Sequence, residues 1–272
     1  MGSATACMID SNGVARRRRP RVRSWLFVRQ LLLIIGFLVM YKWIIVAAGD
    51  DVRPQALRNT HQVIAFERHL GIFNEQRVQE FMIQKVEWLI RVFNVYYGSV
   101  HFAATLAVLT WLFFTRHETY AAWRNLLATI SVISIGGYWF YPVAPPRMFD
   151  GSDIGVANLG FVDAMQRYPG IWSYKAGVAE KIANQYAAMP SLHTGWSVWC
   201  GLALFTMGRK RWIRTLGLLH PTITVLGIVI TGNHFWLDAV AALFVVALAL
   251  ALCRVPLRRA VAQPQSLIST NN

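Results

Sequence analysis

The sequence predicts an all-α fold: a polytopic membrane bundle of six helices with an outer amphipathic helix and a long outer loop. Three observations predict it. Hydrophobic residues make up 55% of the 272 positions and charged ones only 15%, against roughly a quarter charged in soluble domains. The apolar residues gather in runs close to the about 20 that a helix needs to cross a bilayer. The 27 Lys/Arg exceed the 13 Asp/Glu by 14, yet they sit as short clusters between those runs, as cytoplasmic loops do, and not as a nucleic-acid surface. Cys7, Cys200 and Cys253 supply neither a disulfide framework nor zinc spacing. A disordered chain, a secreted disulfide knot and a DNA-binding domain are excluded.

In chain order, a basic cytoplasmic tail is expected over 1–24, a six-span membrane domain over 25–254 and a second cytoplasmic tail over 255–272. The spans are expected at 25–48, 95–114, 126–143, 189–207, 215–231 and 235–253, the third and fifth being short. The first is expected to be a retained anchor and not a cleaved leader, because its apolar run exceeds the about 7–15 residues of a signal core. With the N-terminus inside, fifteen Lys/Arg fall on cytoplasmic segments and ten on external ones, so both termini are expected in the cytoplasm. Between the first two spans, Val78, Phe81, Met82, Val86, Leu89 and Ile90 recur at helical spacing, the pattern of an amphipathic helix on the outer surface or packed over the bundle. The second outer segment, 144–188, is rich in Pro, Gly, Asp and aromatics; loops of that length usually serve a site.

Titratable residues at membrane depth are functional candidates. His234 opens the sixth span in the run TGNHFWLD, and Asp238 follows four residues later, on the same helical face. Such a pair either closes a helix end or holds one imidazole tautomer so that the other ring nitrogen is a better base or nucleophile. His193, in AAMPSLHTGWS, opens the fourth span from the same outer side; Pro190 suits a first helical turn, Ser191 suits a cap, and free N–H groups there favour an anion. Two imidazoles from two helix starts, one beside a carboxylate, make a constellation that neither makes alone.

These residues resemble the type 2 phosphatidic acid phosphatase superfamily, and within it the branch of inositol phosphorylceramide synthases. PSLHTGWS followed by TGNHFWLDAVAA carries the resemblance, and YPVAPPRMF at 141–149, NVYYGSVH at 94–101 and FVDAMQRYPG point to the branch. The resemblance implies a six-helix core and metal-independent phosphate-ester chemistry without a cofactor. It implies that His234 attacks phosphorus, Asp238 orients it, and His193 protonates the leaving alcohol and then activates the acceptor. Two departures accompany it: the superfamily's first motif, with its Lys and Arg-Pro, is absent, and Ile228 stands where an Arg usually precedes the nucleophilic His by six residues.

Arg147 is the expected replacement, since a guanidinium clamps phosphate oxygens in pairs; the alternative is an interfacial anchor. Lys175 and Lys181 are further candidates. Asn94, Tyr97 and His101 share one helical face at i, i+3, i+7, expected to bind the substrate headgroup or to form a structural network. His220 is expected about 21 Å from His234 by helical rise and is set aside; His61, His69 and His117 are expected at the surface. The expectation is an integral cell-membrane enzyme that cleaves or transfers the phosphate ester of a lipid on the extracytoplasmic face, as a phosphatase with water as acceptor or a transferase with a polyol such as inositol. The alternatives are a metal- or haem-binding membrane protein using His193, His234 and Asp238 as ligands, and a non-catalytic channel or transporter.

Overall fold

The computed structural model describes residues 52–151, 157–168 and 185–255, with residues 8, 9, 15, 16, 28, 32, 36 and 39. The chain divides into two compact units, Met1–Ile44 and Ile45–Asn272. Of the first unit, a two-residue antiparallel pairing of Met8 with Arg16 and Ile9 with Ala15 is described, and the helical positions Val28, Leu32, Gly36 and Val39. The rest of the expected first span, and most of both expected tails, lie outside the described residues.

The second unit is helical. α1 spans Arg53–His69 and α2 Glu75–Val95. A π turn at Tyr96–Val100 carries the chain without a break into α3, His101–Thr115. α4 spans His117–Phe140, α5 Leu192–Met207, α6 Arg211–Ile230 and α7 Trp236–Cys253. Three stretches are long and apolar enough to cross a membrane: Glu75–Thr115, Arg211–Ile230 and Trp236–Cys253. They fit a membrane protein, as do Phe114, Phe140, Leu218, Phe244 and Leu252, which the bundle leaves exposed. α4 is long enough but is diluted by Arg124, Asn125 and small polar residues, and α5 is only 16 residues long.

The segment between the expected first two spans differs from its sequence reading. The apolar stripe at 78–90 is not a separate amphipathic element: it is the first half of the 41-residue stretch Glu75–Thr115, bent where Val86 leaves helical geometry (φ −146°, ψ 49°). The packed amphipathic helix is α1, which begins with Pro54 in its first turn and buries Ala56, Asn59, Thr60, Val63, Ile64 and Glu67, a one-face spacing. Val63 and Ile64 join Val143, Ala144, Phe149, Phe161, Ala188 and Phe235 in one core. Polar residues fix the contact: Asn59 Nδ2 donates to the Pro142 carbonyl at 2.9 Å, and Thr60 Oγ1 accepts the Ala144 N–H at 2.8 Å. α1 thus grips the chain just before Arg147. On its other side that segment pairs with the approach to α5, through Val143 N–H to Tyr186 O at 2.9 Å and Ala188 N–H to Val143 O at 3.2 Å.

α5 and α6 form an antiparallel hairpin around glycines. A Cβ on Gly201 would lie 2.5 Å from the Gly217 carbonyl oxygen, and one on Gly217 would lie 2.9 Å from that of Gly201. Small residues let helix backbones meet this closely. Both helices have one end at the same place, and the candidate residues lie there.

Candidate active site

The first turn of α7 is built around Asp238. Its Oδ2 accepts the Phe235 N–H at 2.9 Å and lies 3.2 Å from His234 Nδ1. One carboxylate oxygen therefore caps the helix and holds the imidazole, while Oδ1 of the fully buried Asp238 has no hydrogen-bond partner. The turn before it needs Gly232, at φ +69°, where L side chains are strained. The Gly232 carbonyl accepts the Arg147 backbone N–H at 2.8 Å. Arg147 is thereby seated close enough for its charge to act on the His234 ring, and its Nη1 lies 3.5 Å from Asp163 Oδ2.

His193 arrives from the start of α5. Ser191 caps that helix, its Oγ accepting the Thr194 N–H at 3.3 Å, and its own N–H donates to the Asp238 carbonyl at 3.0 Å, so the starts of α5 and α7 are tied directly. The His193 and His234 ring centroids are 6.1 Å apart with the planes inclined at 57°. Tyr97 stacks on His193 at 3.9 Å and 18°, and Phe102 meets its edge at 5.4 Å. His193 Nε2 is buried without a hydrogen-bond partner.

The expected polar stripe divides. Asn94 Nδ2 donates to the Ala164 and Tyr168 carbonyls at 2.8 and 2.7 Å, so it holds a loop. Tyr97 is the floor under His193. His101 is fully buried, its centroid 4.8 Å from that of His193, and neither ring nitrogen has a partner. His220, set aside for its distance from His234 along the helix, lies beside His101: its ring is 5.7 Å from that of His101, and its Nδ1 lies 2.6 Å from the Tyr96 hydroxyl. His61, His69 and His117 are exposed. Lys175 and Lys181 lie outside the described residues. Among the described residues no three His, Cys, Asp or Glu side chains gather as a metal-holding group.

Sequence reasoning missed four polar residues that frame this arrangement. Asp163 holds Arg147 and caps the turn Ala164–Arg167 through Met165 and Gln166 N–H. Gln79 fixes Val162 beside it, donating to its carbonyl at 3.0 Å and accepting its N–H at 2.8 Å. Glu67 and Glu75 are fully buried and accept from the backbone of α7. Their one signal in the sequence was acidic residues on the buried faces of helices, and it required knowing the faces.

A family model described as the PAP2 superfamily matches residues 61–252, from within α1 to the last turn of α7. The match is to the superfamily as a whole and not to its inositol-transferring branch. No curated protein and no solved structure matches the chain.

Proposed function

Because the chain belongs to the PAP2 superfamily, we propose that it is a multi-pass cell-membrane enzyme that cleaves or transfers the phosphate ester of a lipid, without a metal, through a phosphohistidine. Both termini lie in the cytoplasm and the site faces the extracytoplasmic side. The observation that carries this reading is the approach of two imidazoles from separate helix starts, 6.1 Å between centroids, with Asp238 on Nδ1 of one of them.

Asp238 keeps the His234 proton on Nδ1 and leaves the Nε2 lone pair to attack phosphorus. As the N–P bond forms, the ester P–O bond breaks, and the departing alkoxide takes a proton from His193 Nε2. In the second half, His193, now neutral, removes a proton from the acceptor hydroxyl; the new O–P bond forms, the N–P bond breaks, and both histidines return to their starting states. Arg147 neutralises charge developing on the non-bridging oxygens, and the Ser191 end of α5 adds N–H dipoles on the same side. Lys175 is a further phosphate contact in this reading. His101 and Tyr97 hold the His193 ring, and Asn94 holds the loop beside it.

The acceptor is water in a phosphatase and a polyol in a transferase. The branch motifs at 94–101 and 141–149 and the Ile228 position, where a phosphate-binding Arg usually stands, favour a transferase acting on a phosphodiester of lower charge. Purified protein incubated with labelled lipid phosphates, with and without inositol, separates the two by product headgroup. His193→Ala and His234→Ala are each expected to abolish turnover, and His234→Ala also to lose the acid-labile, base-stable labelled protein seen on rapid quenching. Full turnover in His234→Ala overturns the mechanism.

A further inference from the structure

Two carboxyl groups that the reaction above does not use are buried against the helix that carries Asp238. Glu67, near the end of α1, and Glu75, at the start of α2, are both fully excluded from solvent and meet across the turn between those helices. Glu67 Oε1 accepts the Leu237 N–H at 2.8 Å, and Glu75 Oε1 accepts the Trp236 N–H at 3.1 Å. Glu75 Oε2 accepts the Asn74 N–H at 2.9 Å. With Asp238 on the Phe235 N–H, three successive backbone donors at the start of α7 go to three different carboxyl groups.

A helix start has N–H groups without intrahelical partners and favours negative charge. Its roughly half a unit of positive charge does not balance three buried carboxylates. Two oxygens show the imbalance, Glu67 Oε2 and Asp238 Oδ1, both buried with no donor bonded to them, and the group that the Glu67 side chain meets is Glu75. An acceptor facing an acceptor is satisfied when one of them carries a proton. Burial first, and then the Glu75 contact, push the Glu67 carboxyl up to about 9, although the Leu237 N–H acts the other way. The charged groups that face it are Glu75 from α2 and Asp238 from α7.

We propose that Glu67 and Glu75 share one proton, Glu67 as the neutral acid donating through Oε2 to a Glu75 carboxylate, and that the pair positions Asp238 and His234 by holding the first turn of α7. The kinetic consequence rests on the reading of His234 as nucleophile; the shared proton does not. Both are positioning residues, acting through the backbone of Trp236 and Leu237. The two are not equivalent. Gln at 67 reproduces the neutral acid, with an oxygen for Leu237 and an N–H for Glu75. Gln at 75 turns an N–H toward a backbone N–H, because both Glu75 oxygens already accept.

The test uses the full chain in lipid nanodiscs, following thermal unfolding and lipid-phosphate turnover from pH 5 to 10 in wild type, Glu67→Gln, Glu67→Ala and Glu75→Gln. The folded state keeps the Glu67 proton up to about 9, whereas the unfolded chain loses it near 4.5. Stability tied to that proton is complete below the lower value, falls across the window and is gone above the upper one. Glu67→Gln has no such proton, so its Tm rises relative to wild type across the window by at least about 5 °C. It holds kcat within about threefold of wild type and lacks the wild-type fall in kcat above pH about 9, while Glu67→Ala and Glu75→Gln lose kcat by about tenfold or more with little change in KM. Should Glu75→Gln fail to fold, rescue of Glu67→Ala by Glu67→Gln decides. A Tm difference flat with pH refutes the shared proton, and a Glu67→Gln as slow as Glu67→Ala refutes the positioning. A wild type inactive on every lipid phosphate refutes the functional reading and the kinetic half with it, and the Tm difference still decides the proton.

Discussion

Asp238 serves two donors through one oxygen, the Phe235 N–H and His234 Nδ1, so a change that keeps its shape but not its charge is informative. Asp238→Asn either turns an amide N–H toward one of those donors or forces the imidazole proton onto Nε2, the atom proposed to attack. The expected outcome is a fall in kcat on the order of 10²-fold or more with KM nearly unchanged, checked by steady-state kinetics on protein whose circular dichroism matches wild type; an undiminished kcat removes Asp238 from the mechanism. The His234–Asp238 pair was legible in the sequence from its short spacing, although His234 lies two residues before α7 and meets Asp238 at the capped first turn and not along a helical face. Arg147 was legible as a cation after two prolines, but its ion partner Asp163 was not, because fifteen residues of sequence lie between them. The neighbour of His220 was not legible for a related reason: rise along α6 measures depth, while its 5.7 Å approach to His101 depends on where α3 passes.

At the scale of elements, α6 carries the 228–234 turn into the site, so whatever seats α6 seats His234. The closest seat is against α5, where a Cβ on Gly201 would lie 2.5 Å from the Gly217 carbonyl and 3.3 Å from Pro221 Cγ. The atoms it would strike first are backbone, which cannot swing aside as a side chain does. Gly201→Val is therefore expected to cost about 1–3 kcal/mol and to lower kcat by displacing the turn, measured as a lowered Tm in detergent together with reduced turnover. An unchanged Tm contradicts the close hairpin. The sequence marked α3, α5, α6 and α7 correctly as helices because apolar content alone identifies them. It did not mark α1, whose buried face includes Asn59, Thr60 and Glu67, residues that a polarity pattern assigns to solvent. Nor did it join α2 to α3, since the chain becomes apolar gradually and carries no proline or cap at the expected boundary.

For the whole second unit, charge and helix direction agree on one orientation. α5 and α7 start at the site and run away from it, α6 returns to it, and α3 and α4 meet at the far end. Arg209, Lys210, Arg211 and Arg254 therefore lie at the end opposite His193 and His234, and Arg116 joins them there, its Nη2 donating to the Met207 carbonyl at 2.7 Å. Clustered Lys/Arg marks the cytoplasmic side of a membrane protein, so the imidazoles are expected on the other side, where Ala157 is exposed. In a chain with Cys7, Cys200 and Cys253 replaced by Ala, an impermeant maleimide is expected to label Ala157→Cys in intact cells and Arg209→Cys only after lysis. Labelling of both from outside breaks the link between the basic end and the cytoplasm. The reverse pattern places the site inside, which requires a cytoplasmic lipid substrate and a different acceptor pool from the one the extracytoplasmic reading supplies.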